Sequence, residues 1–194
     1  VRWFSVPRFS VAHPEVRVND DLYEGSDVAE LLRERVYDLM VTPWNIQDTR
    51  IQSLPFLRDQ VYLSIPEGSN LAERSNISIR EIPAQALLYP QIGGYFMTQI
   101  ETVIMEDHLP LTLVKNKYNV TQHLIRTTNF LATISTLSMD LRNDGTHRTL
   151  IPMTDPELNV LYYVSYLKAN REKVKGFLQW GRECKVQNRE AECK

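Results

Sequence analysis

The side chains that most often carry out catalysis are scattered along this sequence, and their spacing matches no catalytic motif. No His-Glu-x-x-His metal motif is formed by the four histidines, which are His13, His108, His123 and His147. Glycine is only 7 of 194 residues and forms neither a Gly-x-Ser-x-Gly elbow nor a glycine-rich phosphate loop. Cys184 has no evident base nearby in sequence. Asp20-Asp21 lies on a predicted strand edge and Glu106-Asp107 at a predicted helix end, where solvated charge is the simpler explanation. The sequence therefore predicts no enzyme and no metal or organic cofactor.

Residues suited to hold a ligand fall instead at the predicted starts of helices. Ser26, Tyr95 and Thr121 each stand at such a start, where free N–H groups and the helix dipole favour a carboxylate or another anion. The pair Gly93-Gly94 lets backbone N–H groups approach a ligand closely. Structural explanations stay open, because Ser26 and Thr121 are also good N-caps and Gly93-Gly94 also suits a tight loop.

The predicted strand ends supply a second set of candidates. Thr42 ends a short apolar strand and is followed by Pro43 and Trp44, whose indole offers a large apolar face with one donor. Asn129 is a further candidate contact, with a left-handed turn as its structural explanation. Trp44 has an alternative too, since it would also pack against its own loop.

The elements that must position these residues alternate between strand and helix. The predicted strands are 16–23, 37–42, 51–57, 60–65, 86–89, 111–114, 131–134, 149–153 and 160–167, and the predicted helices begin at or near residues 27, 76, 95, 121 and 170. This succession predicts an α/β fold with doubly wound sheets. Residues 66–153 form an insertion, lobe II, within a lobe I built from residues 1–65 and 154–194. The cleft of such an architecture is the natural ligand site.

Composition excludes several other classes of protein. The net charge of -2 and the pI near 6.1 argue against nucleic-acid binding by this chain alone. The apolar share of 43% is sufficient for a packed core, and no apolar stretch is long enough for a membrane span. Both cysteines lie in the last eleven residues, so a disulfide scaffold is excluded. The chain starts without Met and without a signal-like segment, which indicates a piece of a longer, cytoplasmic protein.

Five segments together resemble the effector-binding domain of LysR-type transcriptional regulators. They are FSVAHPEVRVN (Phe9 to Asn19), EGSDVAELLRERVYDLMVT (Glu24 to Thr42), LPFLRDQVYLSIPEGSNLAE (Leu54 to Glu73), HLIRTTNFLATISTLSM (His123 to Met139) and LNVLYYVSYLKANREKVKGFLQW (Leu158 to Trp180). Each segment alone is weakly specific, whereas their order and spacing along most of the chain carry the resemblance.

The resemblance implies a type 2 periplasmic-binding-protein-like fold, with two Rossmann-like lobes joined by two crossing strands. It also implies a small-molecule effector, a homodimer or homotetramer, and contact with DNA only through an N-terminal domain that this sequence lacks. Two departures stand out: the family's first strand has no clear counterpart, and Thr136 replaces a usual proline.

On this basis Ser26, Thr42 and Thr121 are expected to hold the polar group of the effector, with Trp44 and Tyr95 as walls around its body. Such walls favour an acid with an apolar or aromatic part. A transport-type solute-binding protein with the same fold is the alternative. A preceding helix-turn-helix would indicate the regulator, whereas a signal peptide would indicate the transport protein.

Overall fold

Strands and helices alternate along most of the chain. The computed structural model describes residues 6–19, 25, 27–90, 95–139 and 147–192. Within these ranges the helices are α1 (Val6–Ala12), α2 (Val28–Arg33), α3 (Tyr95–Glu106), α4 (Tyr118–Thr127) and α5 (Arg171–Glu192). The strands are β1 (Leu39–Thr42), β2 (Ile51–Pro66), β3 (Gln85–Pro90), β4 (Leu111–Asn116), β5 (Leu131–Ser135), β6 (Arg148–Pro152) and β7 (Asn159–Leu167).

The chain divides into two compact units. Unit 1 comprises Val1–Arg58 and Leu161–Lys194, and unit 2 comprises Asp59–Val160. Both boundaries fall inside a strand, one within β2 and the other within β7. Two strands therefore carry the chain from one unit to the other, whereas the sequence predicts lobe boundaries after residues 65 and 153.

Unit 2 contains a sheet in which one strand, β2, is antiparallel to its neighbours. β3 pairs in parallel with both β4 and β5. β2 pairs antiparallel with β5 and with β6, so the order among these strands is β4-β3-β5-β2-β6. Because β3, β4 and β5 share one direction, their carboxyl ends lie at one edge of the sheet.

The two faces of this sheet are covered by different helices. The larger core includes Leu63, Ile65 and Leu87 of the sheet, with Ile100 and Val103 of α3 packed against them. The smaller core contains Ile125 of α4 with Leu88 and Ala132. Burying these side chains is the main stabilising contribution of unit 2, at about 25 cal/mol per Å² of apolar surface.

Unit 1 holds β1, β7 and the first half of β2. β1 pairs antiparallel with β7, from Leu39↔Tyr166 to Thr42↔Tyr163, and β7 lies next to β2. Val28 and Leu32 of α2 pack with Ile51 and Leu167 in its core. A separate group of rings joins α1, β2 and α5, with centroid distances of 4.5–6.1 Å; it consists of Phe9, His13, Phe56, Phe177 and Trp180.

Three predicted elements differ from the structure. Residues 51–57 and 60–65 form one strand, because Arg58 is exposed and buried Asp59 accepts a hydrogen bond from the Leu137 N–H. Residues 16–19 are not in a strand, and 20–24 lie outside the described residues. The helix predicted at 76–83 is only a 3₁₀ turn, Ile79–Glu81, although its Ser78–Glu81 capping box is present as predicted. α1 was not predicted at all.

Two glycines of α5 offer a matched pair of stability tests. A Cβ on Gly181 would lie 2.5 Å from Cε2 of Phe56, whereas a Cβ on Gly176 meets nothing within 4 Å. Overpacking costs about 1–3 kcal/mol and the helix propensity of alanine returns about 1 kcal/mol. We therefore expect Gly181→Ala to lower the free energy of unfolding by about 1 kcal/mol, and Gly176→Ala to raise it by a similar amount. Urea denaturation of both variants checks this, and equal effects would show that the Phe56 ring moves aside freely.

Candidate functional site

The carboxyl ends of three parallel strands place several polar groups at one edge of unit 2. β3 leads to α3, β4 leads to α4, and β5 leads to a 3₁₀ turn at Thr136–Ser138. Pro90 at the end of β3 pairs with Asn116 at the end of β4, so these two strands end at the same level. In open α/β sheets this edge is where ligands bind.

Tyr95 is the first residue of α3, as the sequence predicts. Its side chain is half-buried, and its ring packs edge-on against Phe96 with the centroids 6.1 Å apart. The preceding Gly93 and Gly94 lie outside the described residues. Tyr95 therefore stands where an aromatic wall is expected, next to the start of a helix.

Thr121 does not occupy the helix start that the sequence assigns to it. α4 begins at Tyr118 with Lys117 as N-cap, and the Thr121 N–H is already bonded to the Lys117 carbonyl. The Thr121 hydroxyl is buried and donates to the Asn116 carbonyl at 3.3 Å. The threonine thus fastens α4 to the end of β4, and the helix begins three residues earlier than this threonine.

The end of β5 holds polar contacts that sequence reasoning missed. Thr136 Oγ1 accepts from the Gln60 N–H at 2.8 Å and lies 3.2 Å from the Gln60 carbonyl, which accepts its proton. Gln60 also donates through Nε2 to the Met153 carbonyl. The only hint in the sequence was Thr136 itself, at a position where the related family carries proline.

Asp59 is the charged group of this cluster. It is 2% exposed, and its Oδ1 accepts from the Leu137 N–H at 2.9 Å. Desolvation raises the pKa of its carboxyl above the ordinary value, against the opposing effect of the Leu137 N–H and the neighbouring hydroxyls, which favour the ionised form.

In unit 1 the candidate residues follow β1. Thr42 is 3% exposed, and its hydroxyl donates to the Trp44 carbonyl at 2.8 Å, so the threonine closes the turn that contains Pro43. Trp44 is 43% exposed. An exposed indole beside a fixed strand end is suited to contact an apolar molecule. Ser26 lies outside the described residues.

The segment after Trp44 is held to the body of unit 1. Ser53 Oγ accepts from the Ile46 N–H at 3.1 Å and lies 2.6 Å from Ser165 Oγ. Asp48 accepts from Arg33 at 2.9 Å and from the Arg50 N–H at 2.7 Å. These hydrogen bonds lower the pKa of the Asp48 carboxyl, with the Arg50 N–H as the largest cause. The turn at Thr42 is therefore anchored from both sides.

Asn129 lies at the opposite edge of unit 2, at the amino end of β5. It has no positive φ angle, so the left-handed turn proposed for it is wrong. It lines an open pocket of about 120 Å³ together with Pro66 and Arg148. Arg148 is fastened there, since its guanidinium donates to Ser64 and to the carbonyls of Ile125 and Phe130. Asn129 is therefore not at the carboxyl edge of this sheet, and its role as a ligand contact stays a prediction.

Metal-ligand clusters and membrane-spanning helices are both absent from the described ranges. Over these ranges, no group of three or more His, Cys, Asp or Glu side chains has a geometry that would hold a metal ion. None of the helices described here combines the length and apolar character needed to span a membrane.

Comparison with known families identifies the fold. The family model of the LysR substrate-binding domain matches residues 5–184. The chain belongs to this family. Its members are effector-binding, regulatory domains with the type 2 periplasmic-binding-protein-like fold, so the resemblance and the fold class expected from the sequence are confirmed. No curated protein matches the chain in a sequence search.

Solved structures of LysR-type regulators share this fold at low sequence identity. The reduced regulatory domain of OxyR from Pseudomonas aeruginosa is 13% identical, with a TM-score of 0.63 and coverage of 91% of this chain and 87% of OxyR. The regulatory domain of Synechocystis CcmR, in complex with 2-PG, is 13% identical with a TM-score of 0.62 and coverage of 91% and 86%. The effector-binding domain of BenM, with its effector benzoate, is 17% identical with a TM-score of 0.57 and coverage of 84% and 77%.

The LysR substrate-binding domain is only part of a regulator. This chain spans 57% of a full-length OxyR from Pseudomonas aeruginosa, with a TM-score of 0.63 at 14% identity.

Proposed function

We propose that this chain is the effector-sensing domain of a LysR-type transcriptional regulator. The observation that carries this is the family match through residues 5–184, which spans both units. The polar strand ends of unit 2 and the turn at Thr42 supply groups for ligand binding. A transport-type solute-binding protein is less favoured, because the matching family model and the structural relatives belong to LysR-type regulators.

The effector we propose is a small carboxylate with an apolar or aromatic part. BenM binds benzoate, a carboxylate on an aromatic ring. In the present chain the exposed Trp44 and the half-buried Tyr95 offer aromatic surface, and the starts of α3 and α4 favour negative charge. Both properties suit the same class of ligand.

The effector must favour one conformation of the domain over another to regulate anything. A ligand that binds two conformations equally changes neither population, however tightly it binds. We propose that the bound conformation is transmitted through a homodimer or homotetramer to a separate DNA-binding domain. This function belongs in the cytoplasm, where the DNA is accessible.

Thr42 gives the first test of this proposal. We expect Thr42→Val to weaken binding of an effector about tenfold or more, because a hydrogen bond to a charged group contributes about 1.5–3 kcal/mol. In the free domain the hydroxyl proton is used by the Trp44 carbonyl, so Thr42 must release that bond in order to donate to the effector carboxylate. Thr42→Ser keeps the hydroxyl and should bind nearly as well as the wild type.

The measurement is isothermal titration calorimetry with a panel of small carboxylates that includes benzoate and hydroxybenzoates. Neutral amides of the same acids are the matched control ligands. Equal affinity of Thr42→Val and the wild type for a confirmed ligand would remove Thr42 from the site. A panel in which amides bind as well as acids would contradict the proposed carboxylate class.

A further inference from the structure

The turn that follows β1, residues 43–45, is joined to the rest of the protein by few polar contacts. Its first residue, Pro43, has no N–H to donate. Within the described part of the chain, the bond from the Thr42 hydroxyl to the Trp44 carbonyl, at 2.8 Å, is the only hydrogen bond that this turn makes. The chain is fixed again at Ile46, whose N–H is hydrogen-bonded. A single side-chain proton therefore holds the turn closed.

The indole of Trp44 has no fixed polar partner. Among the residues that the structure describes, its Nε1–H finds no hydrogen-bond acceptor and its ring contacts no other aromatic ring. An indole combines a broad apolar face with one donor, and a buried indole usually has a partner for that donor. In Trp44 the donor is unused and part of the ring meets solvent. Both the donor and this part of the ring are therefore free to contact a ligand.

The hydroxyl of Thr42 cannot hold the turn and bind an acid at the same time. It carries a single proton, and in the free domain that proton goes to the Trp44 carbonyl. Thr42 is 3% exposed, so an effector reaches this hydroxyl only when the residues that cover it move. A hydrogen bond to a carboxylate is stronger than one to a neutral carbonyl, so a bound acid competes for the proton. Binding of an acid at Thr42 and closure of the turn therefore exclude each other.

We propose that residues 43–45 form a latch that the effector releases. The carboxylate accepts the proton of Thr42, the Trp44 carbonyl loses its donor, and the turn moves so that the indole covers the apolar or aromatic part of the ligand. The indole Nε1–H then donates to a second polar group of the ligand. Because the ligand binds the released conformation and not the latched one, it shifts the population towards release. This inference rests on the proposed function and adds a conformational change at its site.

The ligand-free chain gives the first test of the latch. The sequence contains three tryptophans, so incorporation of 5-fluorotryptophan gives three fluorine NMR signals, and the signal lost in Trp44→Phe belongs to Trp44. Thr42→Val removes the proton that holds the turn. We expect the Trp44 signal of this variant to narrow and to shift towards the random-coil position, whereas Thr42→Ser keeps the wild-type position. An unchanged Trp44 signal in Thr42→Val would overturn the latch.

Thr127→Val is the matched control for this experiment. The Thr127 hydroxyl also donates to a carbonyl of the chain, that of His123 at 2.8 Å, but it does so in α4 of unit 2. The same substitution there should leave the Trp44 signal unchanged, and the other two tryptophan signals should stay constant in every variant. Equal movement of the Trp44 signal in both valine variants would indicate a general loosening of the fold and would contradict the latch.

Benzoate tests release by a ligand, with benzamide as the uncharged control. At saturating benzoate we expect the Trp44 signal of the wild type to leave its free position. The change of this signal between H2O and D2O, which reports exposure of the ring to solvent, should decrease as the indole covers the ligand. Benzamide should cause neither change. If the ring in the benzoate complex stays as exposed as in the free chain, the indole does not close over the ligand and the proposal is wrong.

The remaining outcomes separate the latch from the proposed function. If calorimetry shows that benzoate binds and that Thr42→Val weakens this binding, while the Trp44 signal does not move, the effector function stands and the latch is wrong. Absence of any benzoate binding by the wild type overturns release by this acid. If another carboxylate of the panel then binds, the sensing function is still supported.

Discussion

Replacing Asp155 by alanine is expected to lower the free energy of unfolding by about 3 kcal/mol. The side chain of Asp155 is 1% exposed and holds three donors: the Ile79 N–H at 2.7 Å, the Ser78 hydroxyl at 2.6 Å and Nη1 of Arg80 at 2.8 Å. Alanine leaves the buried Ile79 N–H without an acceptor and removes the charge that fixes Arg80. Ser78 caps the 3₁₀ turn at Ile79–Glu81 and donates to Asp155. Loss of the Asp155 carboxylate should therefore also weaken the attachment of this turn to the rest of the protein.

Asp107 provides the control for this prediction. It also bonds Arg80, at 2.7 Å, but its side chain is 38% exposed. Exposed ion pairs contribute about 0–1 kcal/mol, so Asp107→Ala should change stability by less than that. Urea denaturation followed by circular dichroism measures both variants. Equal losses would mean that Arg80 is the important group and that burial of Asp155 contributes little.

Elements with a clear local pattern were predictable from the sequence. α3 begins at Tyr95, as predicted, and β3, β4, β5, β6 and β7 were placed within one or two residues. Each of these elements has an apolar repeat that matches its own period and a clear stop at both ends. β2 differs, since Arg58-Asp59 looks like an interruption in the sequence. Whether such a pair ends a strand depends on partners far along the chain, here the Leu137 N–H.

The positions of helix ends explain why the site was only partly predictable. Thr121 has the residue type of an N-cap, but α4 begins at Tyr118. The N-cap in the structure is Lys117, and lysine is not a residue type by which a sequence pattern identifies a helix start. Asn129 resembles a left-handed residue, yet Arg35 and His108 have positive φ angles of 59° and 52°. Each lies just after a helix, α2 or α3, where a backbone hydrogen bond closes the helix end around it: Val36 N–H to the Leu31 carbonyl and Leu109 N–H to the Ile104 carbonyl.

Long-range polar contacts were not accessible to sequence reasoning at all. Gln60 and Thr136 are 76 residues apart, and the order of the strands alone brings them together. Polar residues in strands are common, and nothing local distinguishes one that closes a sheet edge from one that faces solvent. The edge of unit 2 therefore combines residues that the sequence indicated, such as Tyr95, with others that only the fold assembles.

Asp59→Asn should stabilise the protein by about 2 kcal/mol near pH 8 and have little effect in acid. Burial raises the pKa of the Asp59 carboxyl above its ordinary value of 3.8, so the folded state holds this proton more tightly than the unfolded state. The stabilising contribution of the protonated carboxyl is complete below 3.8 and is lost as the pH rises through the raised value. Asparagine stays neutral and still accepts from the Leu137 N–H, so it avoids this loss.

Asp48→Asn is the matched variant with the opposite sign. Hydrogen bonds from the Arg50 N–H and from Arg33 lower the pKa of Asp48, so its stabilising contribution is present above the ordinary value of 3.8 and is lost as the pH falls. Asp48→Asn should therefore destabilise the protein at neutral pH. Urea denaturation of both variants and the wild type between about pH 4.5 and 8 tests the pair. A stability difference for Asp59→Asn that stays constant across this range would show that Asp59 does not titrate there, and that the Leu137 N–H outweighs burial at this carboxyl.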